Sequence, residues 1–287
     1  MVSPGVSYCE TKAELLTSYS KESVVDHRTS GVAMSYRDLG EGDPLVLLHA
    51  FPLNGRMFES QMRAFSGSHR VVAPDYPGFG RSPRTPAQPD VHYYAEGVRN
   101  LLDRLHLERV ILGGVSMGGY VAFECMRLFP ERVSALVLAN TRPEPDSEEM
   151  RETRVETALS VAEEGVGVLV ELQMERLLTP YTLQNNEELV ESVRAMIFEN
   201  SPDGVVAALG AMRERPDSTP LLGEIGVPTL VVGGEEDVII APEVVDAMAA
   251  KIPGARHVII PRTGHLSTLE APERFNAVLA DFLQSIP

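Results

Sequence analysis

Short apolar runs separated by helical patterns are the feature that most limits how this chain can fold. The runs lie at residues 45–49, 71–74, 110–112, 135–139, 229–232 and 257–260. Apolar runs of this length are typical of strands that are buried on both faces. Helical patterns separate them, at residues 94–105, 120–128, 243–251 and 272–282. This alternation predicts an α/β fold with a mostly parallel sheet flanked by helices, and residues 24–28 and 33–38 are expected to add an antiparallel start.

The alternation stops between residues 141 and 220, where several helical patterns follow one another without a strand-like run. We therefore expect a helical insertion at residues 141–220 between two parts of one α/β core, at residues 22–140 and 221–287. Residues 1–21 are expected to form a polar N-terminal extension. The insertion contains 17 of the 41 acidic residues of the chain but only 7 of its 25 basic residues. Most of the excess negative charge is therefore expected on the insertion.

The net charge of −16 argues against partners that are polyanions. Nucleic acids and anionic membranes bind through Lys and Arg side chains that neutralise phosphates. No apolar stretch approaches the ~20 residues that a membrane-spanning helix needs, and the N-terminus has no signal-peptide pattern. Cys9 and Cys125 are too few for a disulfide framework, and the chain has no local metal-binding motif. We expect a cytoplasmic protein with no nucleic-acid, membrane or metal partner.

The pattern G-x-S-x-G occurs at residues 114–118 as G-V-S-M-G. It follows the predicted strand at residues 110–112 and precedes a predicted helix, which is the setting of a nucleophile elbow. A sharp strand-to-helix turn holds the serine in a strained conformation, and side chains at both glycine positions would clash with that turn. Ser116 would then lie at a helix N-terminus, which favours developing negative charge. The pattern predicts Ser116 as a nucleophile; a glycine-rich turn without chemistry is the alternative.

A serine hydroxyl needs a base that accepts its proton and an acid that orients the base. His265 follows the last predicted strand, and Asp237 follows the strand before it. Because Ser116, Asp237 and His265 each follow a different strand of a parallel sheet, we expect them to meet at its carboxyl edge. These three residues are the predicted catalytic triad. Glu235 and Glu236 are neighbouring carboxylates that remain alternatives for the acid.

Several segments together resemble the α/β-hydrolase superfamily. They are H-A-F-P-L at residues 49–53, D-Y-P-G-F-G-R-S at 75–82, G-V-S-M-G-G at 114–119, Asp237, and G-H at 264–265. The segments at residues 114–123 and 213–219 are similar to those of compact bacterial carboxylesterases and 3-oxoadipate enol-lactonase-like hydrolases. The resemblance spans residues 32–287. It implies a mostly parallel eight-stranded sheet, a helical cap inserted after the sixth strand at residues 141–220, and no cofactor.

The loop after the strand at residues 45–48 is expected to provide half of an oxyanion hole. In the family that the chain resembles, one backbone N–H comes from this loop and the other from the residue after the nucleophile. The Phe51 and Met117 N–H groups are therefore the predicted donors, and Phe51, Met117 and Leu266 are predicted to line a substrate pocket. His49 is expected to brace the loop rather than act as a second base. Ala50 stands where this family usually has glycine, so its φ must be negative.

These residues predict a serine hydrolase that cleaves carboxylic esters of small or medium acyl chain through an acyl-enzyme on Ser116. The expected partner is a small-molecule ester or lactone. Four alternatives remain, namely a lactonase of the 3-oxoadipate enol-lactonase kind, a cofactor-free perhydrolase, an interfacial lipase and a non-catalytic ligand-binding relative. The acidic insertion is expected to favour neutral substrates unless Arg142 or another arginine faces the site.

Overall fold

A single sheet of seven strands forms the centre of the computed structural model, which describes residues 32–84 and 89–286. The strand order is β1-β3-β2-β4-β5-β6-β7. Every neighbouring pair is parallel except β1 with β3. The prediction of a mostly parallel sheet is therefore confirmed. The strands are β1 (Tyr36–Leu39), β2 (Asp43–Leu48), β3 (His69–Pro74), β4 (Val110–Val115), β5 (Val133–Ala139), β6 (Thr229–Gly234) and β7 (Arg256–Ile260).

The seven described strands compare with eight expected ones. The expected strand at residues 24–28 lies outside the described residues, and so do residues 1–21. The expected antiparallel start at residues 33–38 forms as β1, in which Tyr36 pairs with Pro74 of β3. The helical insertion follows β5, which is the strand counted as the sixth from the sequence.

Helices cover both faces of the central strands, so these strands are buried from water. Every residue of β4 and of β6 is buried, as the continuous apolar runs predict. The first three and the last three described α-helices belong to the two sequence segments that form the sheet. They are α1 (Glu59–Phe65), α2 (Val91–Arg104), α3 (Met117–Leu128), α9 (Pro242–Ala249), α10 (Ser267–Glu270) and α11 (Pro272–Leu283).

Five α-helices lie between β5 and β6, in the segment that we call the helical insertion (residues 141–220). Four of them begin after a Ser, Thr or Asn whose side chain accepts a hydrogen bond from a backbone N–H of the first turn. These caps explain why the chain forms several short helices here. The division into a core and a cap stays a prediction. The helices are α4 (Glu148–Glu164), α5 (Val168–Leu177), α6 (Pro180–Asn185), α7 (Glu187–Phe198) and α8 (Pro202–Arg213).

Most carboxylates of the helical insertion are exposed, and three of its arginines surround a buried aspartate. Of its 17 carboxylates, 15 are exposed, and the buried Asp146 is one of the two exceptions. Asp146 forms ion pairs with Arg142, Arg154 and Arg215, and the side chain of Arg215 is only 3% exposed. Burial raises the pKa of the Asp146 carboxyl, but Arg154 and Arg215 outweigh burial and hold the pKa below its ordinary value. The insertion therefore exposes most of its carboxylates to water, while Arg142, Arg154 and Arg215 surround the buried Asp146.

No helix within residues 32–84 and 89–286 combines the length and the apolar content needed to cross a membrane.

Candidate active site

Ser116 lies in the turn between β4 and α3, with φ +53° and ψ −113°. A positive φ is uncommon for a residue with a side chain, and it marks local strain that the surrounding structure must hold. Hydrogen bonds from Ser116 N to Ala139 O (2.9 Å) and from Gly119 N to Ser116 O (2.9 Å) hold this turn. The Thr141 hydroxyl donates a further bond to Ser116 O (2.8 Å). The structure thus places Ser116 at the strand-to-helix turn that the sequence pattern predicts.

Two glycines allow this turn to form because backbone atoms approach them too closely for a side chain. A Cβ atom at Gly114 would overlap the carbonyl of Gly118, and one at Gly118 would overlap the carbonyl of Leu48. The N-terminus of α3 is therefore pressed against the end of β2. This contact brings the loop after β2 beside Ser116.

The three residues of the predicted triad lie in one hydrogen-bonded line. His265 Nε2 lies 2.8 Å from Ser116 Oγ, and His265 Nδ1 lies 2.9 Å from Asp237 Oδ2. The residues are 8% (Ser116), 1% (His265) and 4% (Asp237) exposed. They follow β4, β7 and β6, whose carboxyl ends share one edge of the sheet. Glu235 and Glu236 are exposed, and in the described chain neither forms a hydrogen bond with His265.

Hydrogen bonds fix the Asp237 carboxylate on both oxygens. Oδ1 accepts from the backbone N–H groups of Ile239 and Ile240, each at 2.9 Å. Oδ2 accepts from the Asn140 side chain at 3.0 Å. Burial raises the pKa of Asp237, but its charge interaction with His265 and these hydrogen bonds outweigh burial and lower the pKa below 3.8. The carboxylate is therefore ionised at neutral pH and can stabilise a protonated His265.

Asn140 is a buried residue of the site that sequence reasoning missed. Its Nδ2 donates to Asp237 Oδ2 and to the carbonyl of Gly264 (3.3 Å), while its Oδ1 accepts from the Ser267 hydroxyl (2.6 Å). Its φ of +47° turns the chain directly after β5. A polar residue just past the carboxyl end of a predicted strand is the signal that could have indicated it.

The two predicted oxyanion donors follow neighbouring strands at equivalent distances along the chain. Leu48 of β2 and Gly114 of β4 are register partners, and the Phe51 and Met117 amides each lie three residues further along. Met117 begins α3, so its N–H has no partner inside the helix. Neither amide donates a hydrogen bond to another residue in the part of the chain that the structure describes. Two such N–H groups beside Ser116 can stabilise negative charge on a carbonyl oxygen.

The sequence matches the profile of the α/β-hydrolase fold family over residues 43–272. The chain belongs to this family. It is similar to a thermophilic esterase from Thermogutta terrifontis, with 39% identity and a TM-score of 0.87 over 89% of this chain and 94% of that one. It is also similar to the enol-lactonase from Burkholderia xenovorans LB400, with 25% identity and a TM-score of 0.83 over 88% and 96%.

Among curated proteins, this α/β-hydrolase is 26% identical to 3-oxoadipate enol-lactonase 2 of Acinetobacter baylyi, over 85% of this chain and 91% of that relative. The resemblance inferred from the sequence motifs is confirmed, and so is the fold class. Esterases and lactonases both occur among the relatives, so the comparisons support hydrolase activity without distinguishing an ester substrate from a lactone.

His49 braces the loop that carries Phe51 in this α/β-hydrolase. Its Nε2 accepts a hydrogen bond from Tyr76 N (3.1 Å), so the proton lies on Nδ1, which donates to Ala50 O (3.0 Å). His49 is fully buried. Burial lowers the pKa of His49 from 6.5 to about 4, against a smaller opposing effect of the Ala50 hydrogen bond. Ala50 is not among the residues with positive φ, as an alanine there requires.

The neutral state of His49 predicts an acid-sensitive fold. Because the folded pKa of about 4 lies below the unfolded value of 6.5, a proton binds the unfolded chain first. The stability that depends on neutral His49 is fully present above pH 6.5 and is lost as the pH falls to about 4. We expect the free energy of unfolding to drop by about 3 kcal/mol over this window through His49 alone.

Denaturant titrations of wild type and His49→Gln at several pH values measure this loss. Glutamine keeps a donor and an acceptor but does not titrate, so the variant is expected to be less sensitive over the same window. Equal losses in both proteins would contradict the assignment. His69, which is partly exposed, offers a matched control as His69→Gln.

The three residues predicted to line a substrate pocket are all buried, namely Phe51, Met117 and Leu266. The Phe51 ring packs edge-on against Phe79, with ring centroids 6.3 Å apart. The Leu266 N–H donates to the carbonyl of Leu177 at the end of α5 (3.3 Å). The surroundings of Ser116 are thus apolar and reach the helical insertion, and the pocket assignment stays a prediction.

Proposed function

We propose that this α/β-hydrolase cleaves carboxylic esters through an acyl-enzyme on Ser116. The observation that carries the proposal is the hydrogen-bonded line from Ser116 Oγ through His265 to the ionised Asp237, with distances of 2.8 and 2.9 Å. A serine held at a helix N-terminus, a histidine within reach of its hydroxyl and a buried carboxylate are the parts that acyl transfer requires. The esterase among its structural relatives supports the same chemistry.

The first half of the proposed reaction forms the acyl-enzyme. Ser116 Oγ attacks the carbonyl carbon while His265 Nε2 accepts the hydroxyl proton, and Asp237 stabilises the imidazolium. The Phe51 and Met117 N–H groups hold the oxyanion of the tetrahedral intermediate. The intermediate collapses when His265 gives its proton to the leaving alcohol oxygen.

The second half of the reaction releases the acid. Water enters where the alcohol has left, and His265 Nε2 accepts its proton as the water oxygen attacks the acyl carbon. Collapse of this second intermediate returns the proton from His265 to Ser116 Oγ. The catalytic residues therefore end in their starting states, and the net change is one ester and one water converted to one acid and one alcohol.

A lactonase is the second candidate, because the exposure of the acidic side chains removes the objection to it. A lactone is a cyclic ester, so the same steps open its ring. The expectation that the acidic insertion disfavours anionic substrates loses its basis, because 15 of its 17 carboxylates are exposed and their charges are screened by salt. Arg142, Arg154 and Arg215 neutralise the buried Asp146 through ion pairs. An enol-lactonase among the relatives supports this candidate.

A panel of 4-nitrophenyl esters tests the proposed substrate class. Because Phe51, Met117 and Leu266 are buried and bulky, we expect kcat/KM to be greatest for acyl chains of about two to six carbons. At twelve carbons we expect a loss of at least about tenfold. A greatest rate at twelve or more carbons, or activation by lipid droplets, would contradict the proposal in favour of a lipase. An enol-lactone that reacts faster than every ester would favour the second candidate.

A further inference from the structure

The helical insertion forms hydrogen bonds with both loops that carry the reaction in the proposed function. We call residues 263–267 the histidine loop and residues 50–54 the oxyanion loop. Leu266 of the histidine loop donates to the carbonyl of Leu177 at the end of α5 (3.3 Å), and Glu270, just past this loop, binds the start of α6. The oxyanion loop is bound between α7 and α8, by Asn200 and by a hydrogen bond from Asn54 Nδ2 to Glu199 (2.9 Å). Two side chains, those of Glu270 and Asn200, each join backbone next to the proposed reaction centre to a second segment of the chain.

Glu270 makes the contact with the histidine loop. Its Oε1 accepts a hydrogen bond from the N–H of Gly264 (2.8 Å), the residue before His265. Its Oε2 accepts from Thr179 N (2.9 Å), Thr179 Oγ1 (2.8 Å) and Thr182 Oγ1 (2.6 Å). Thr179 and Thr182 are buried residues of the insertion. One carboxylate therefore joins the backbone next to the catalytic base to the first turn of α6.

Asn200 makes the contact with the oxyanion loop. Its Nδ2 donates to the carbonyl of Pro52 (2.7 Å), and its Oδ1 accepts from the N–H of Gly80 (2.9 Å). Pro52 directly follows Phe51, whose N–H is the proposed oxyanion donor. Asn200 is buried, so both of its bonds are shielded from competing water. A residue of the insertion therefore holds the backbone directly after Phe51.

We propose that Glu270 and Asn200 are positioning residues, through which the helical insertion holds His265 within reach of Ser116 and directs the Phe51 N–H at the oxyanion. This inference rests on the proposed function. Neither side chain touches the reacting atoms, so each acts through the backbone of a loop. A displacement of about 1 Å at a reacting group lowers rates by about 100-fold, which makes such backbone bonds important for catalysis.

The two residues are expected to have different kinetic signatures. Loss of the Glu270 bonds frees the histidine loop, so Glu270→Gln is expected to lower kcat by about 10- to 100-fold and to move the apparent pKa of the pH–rate profile. Loss of the Asn200 bonds frees the oxyanion loop, so Asn200→Ala is expected to lower kcat by a similar factor without moving that pKa. KM is expected to stay within about threefold in both variants.

The experiment compares kcat, KM and the pH–rate profile for 4-nitrophenyl butyrate, together with hydrogen–deuterium exchange of backbone amides. Glu270→Gln is expected to increase exchange at residues 177–182 and 263–267, and Asn200→Ala at residues 50–54 and 78–80. Thr182→Val removes one bond to Glu270 with little change in shape. This variant replaces Glu270→Gln if the glutamine variant folds poorly, and its effects on kcat and exchange are expected to be smaller and in the same direction. Glu273→Gln in α11 and Gln184→Ala in α6, both at exposed positions, are the matched controls.

Faster exchange with unchanged kcat and pH profile would overturn the positioning roles while the proposed function stands. Unchanged exchange in both variants would overturn the contacts themselves, and a loss confined to KM would also contradict the proposal. A different result would show that the proposed function itself is wrong. In that case wild type does not hydrolyse the ester, or Ser116→Ala still does, whatever the exchange of the two loops.

Discussion

Replacement of Ser116 by alanine is expected to lower kcat for 4-nitrophenyl butyrate by about 10⁴- to 10⁶-fold, because the variant has no atom that can form the acyl-enzyme. The fold is expected to remain. The Ser116 side chain hydrogen bonds only to His265 in the described chain, while backbone groups and the Thr141 hydroxyl hold the strained turn. Alanine also has the same backbone restrictions as serine at positive φ.

Initial rates and thermal unfolding of purified wild type and variant measure this effect. Ser68→Ala, at an exposed serine directly before β3 and so at the amino edge of the sheet, is the matched control and is expected to keep full activity. Ser116→Ala with more than about a tenth of the wild-type rate and a normal unfolding temperature would contradict the nucleophile assignment. A large drop in unfolding temperature would instead contradict the view that backbone bonds hold the turn.

Replacement of Asp237 by asparagine is expected to lower kcat by about 10⁴-fold, through the wrong tautomer of the histidine. The N–H groups of Ile239 and Ile240 both donate to Oδ1, so an asparagine must keep its oxygen on that side. Its NH₂ group then replaces Oδ2 and faces His265 Nδ1. His265 Nδ1 lies nearer to Oδ2 (2.9 Å) than to Oδ1 (3.1 Å), so the variant favours the histidine tautomer with its proton on Nε2. That tautomer can no longer accept the proton of Ser116.

Glu236→Gln and Glu235→Gln are matched controls for this prediction, because each removes one carboxylate beside Asp237. Both side chains are exposed, so these variants are expected to keep nearly full activity. Steady-state rates across pH 5 to 9 decide the question. If Asp237→Asn stays active while one of the glutamine variants loses activity, the acid is the neighbouring glutamate.

Periodicity and strand order were enough to predict most of the fold and the approximate place of the site. Apolar runs indicate strands because a residue buried on either face of a sheet is usually apolar, and in β4 and β6 only Thr229 departs from this rule. The neighbourhood of Ser116, Asp237 and His265 was predictable since parallel strands end at one edge. Local patterns therefore contain the information for these features.

Contacts between distant loops could not be predicted in this way. Glu270 and Thr179 are 91 residues apart, and Asn200 and Pro52 are 148 apart; neither Glu270 nor Asn200 directly follows a strand. Their meeting depends on how loops and helices pack, and no local pattern in the sequence encodes it. The charge of the insertion shows the same limit. Composition gives the net charge of the insertion. Which acids are exposed, and that Arg154 and Arg215 surround Asp146, depends on tertiary packing.

The central claim is that His265 activates Ser116, and phosphorylation of serine tests it most directly. Wild-type protein is incubated with diethyl 4-nitrophenyl phosphate, which transfers its diethylphosphoryl group to an activated serine, and the product is examined by intact mass and peptide mapping. We predict one diethylphosphoryl group per chain, located on Ser116, and a far slower reaction in His265→Ala. A wild-type protein that remains unlabelled, or one that is labelled at a different serine, would contradict the account.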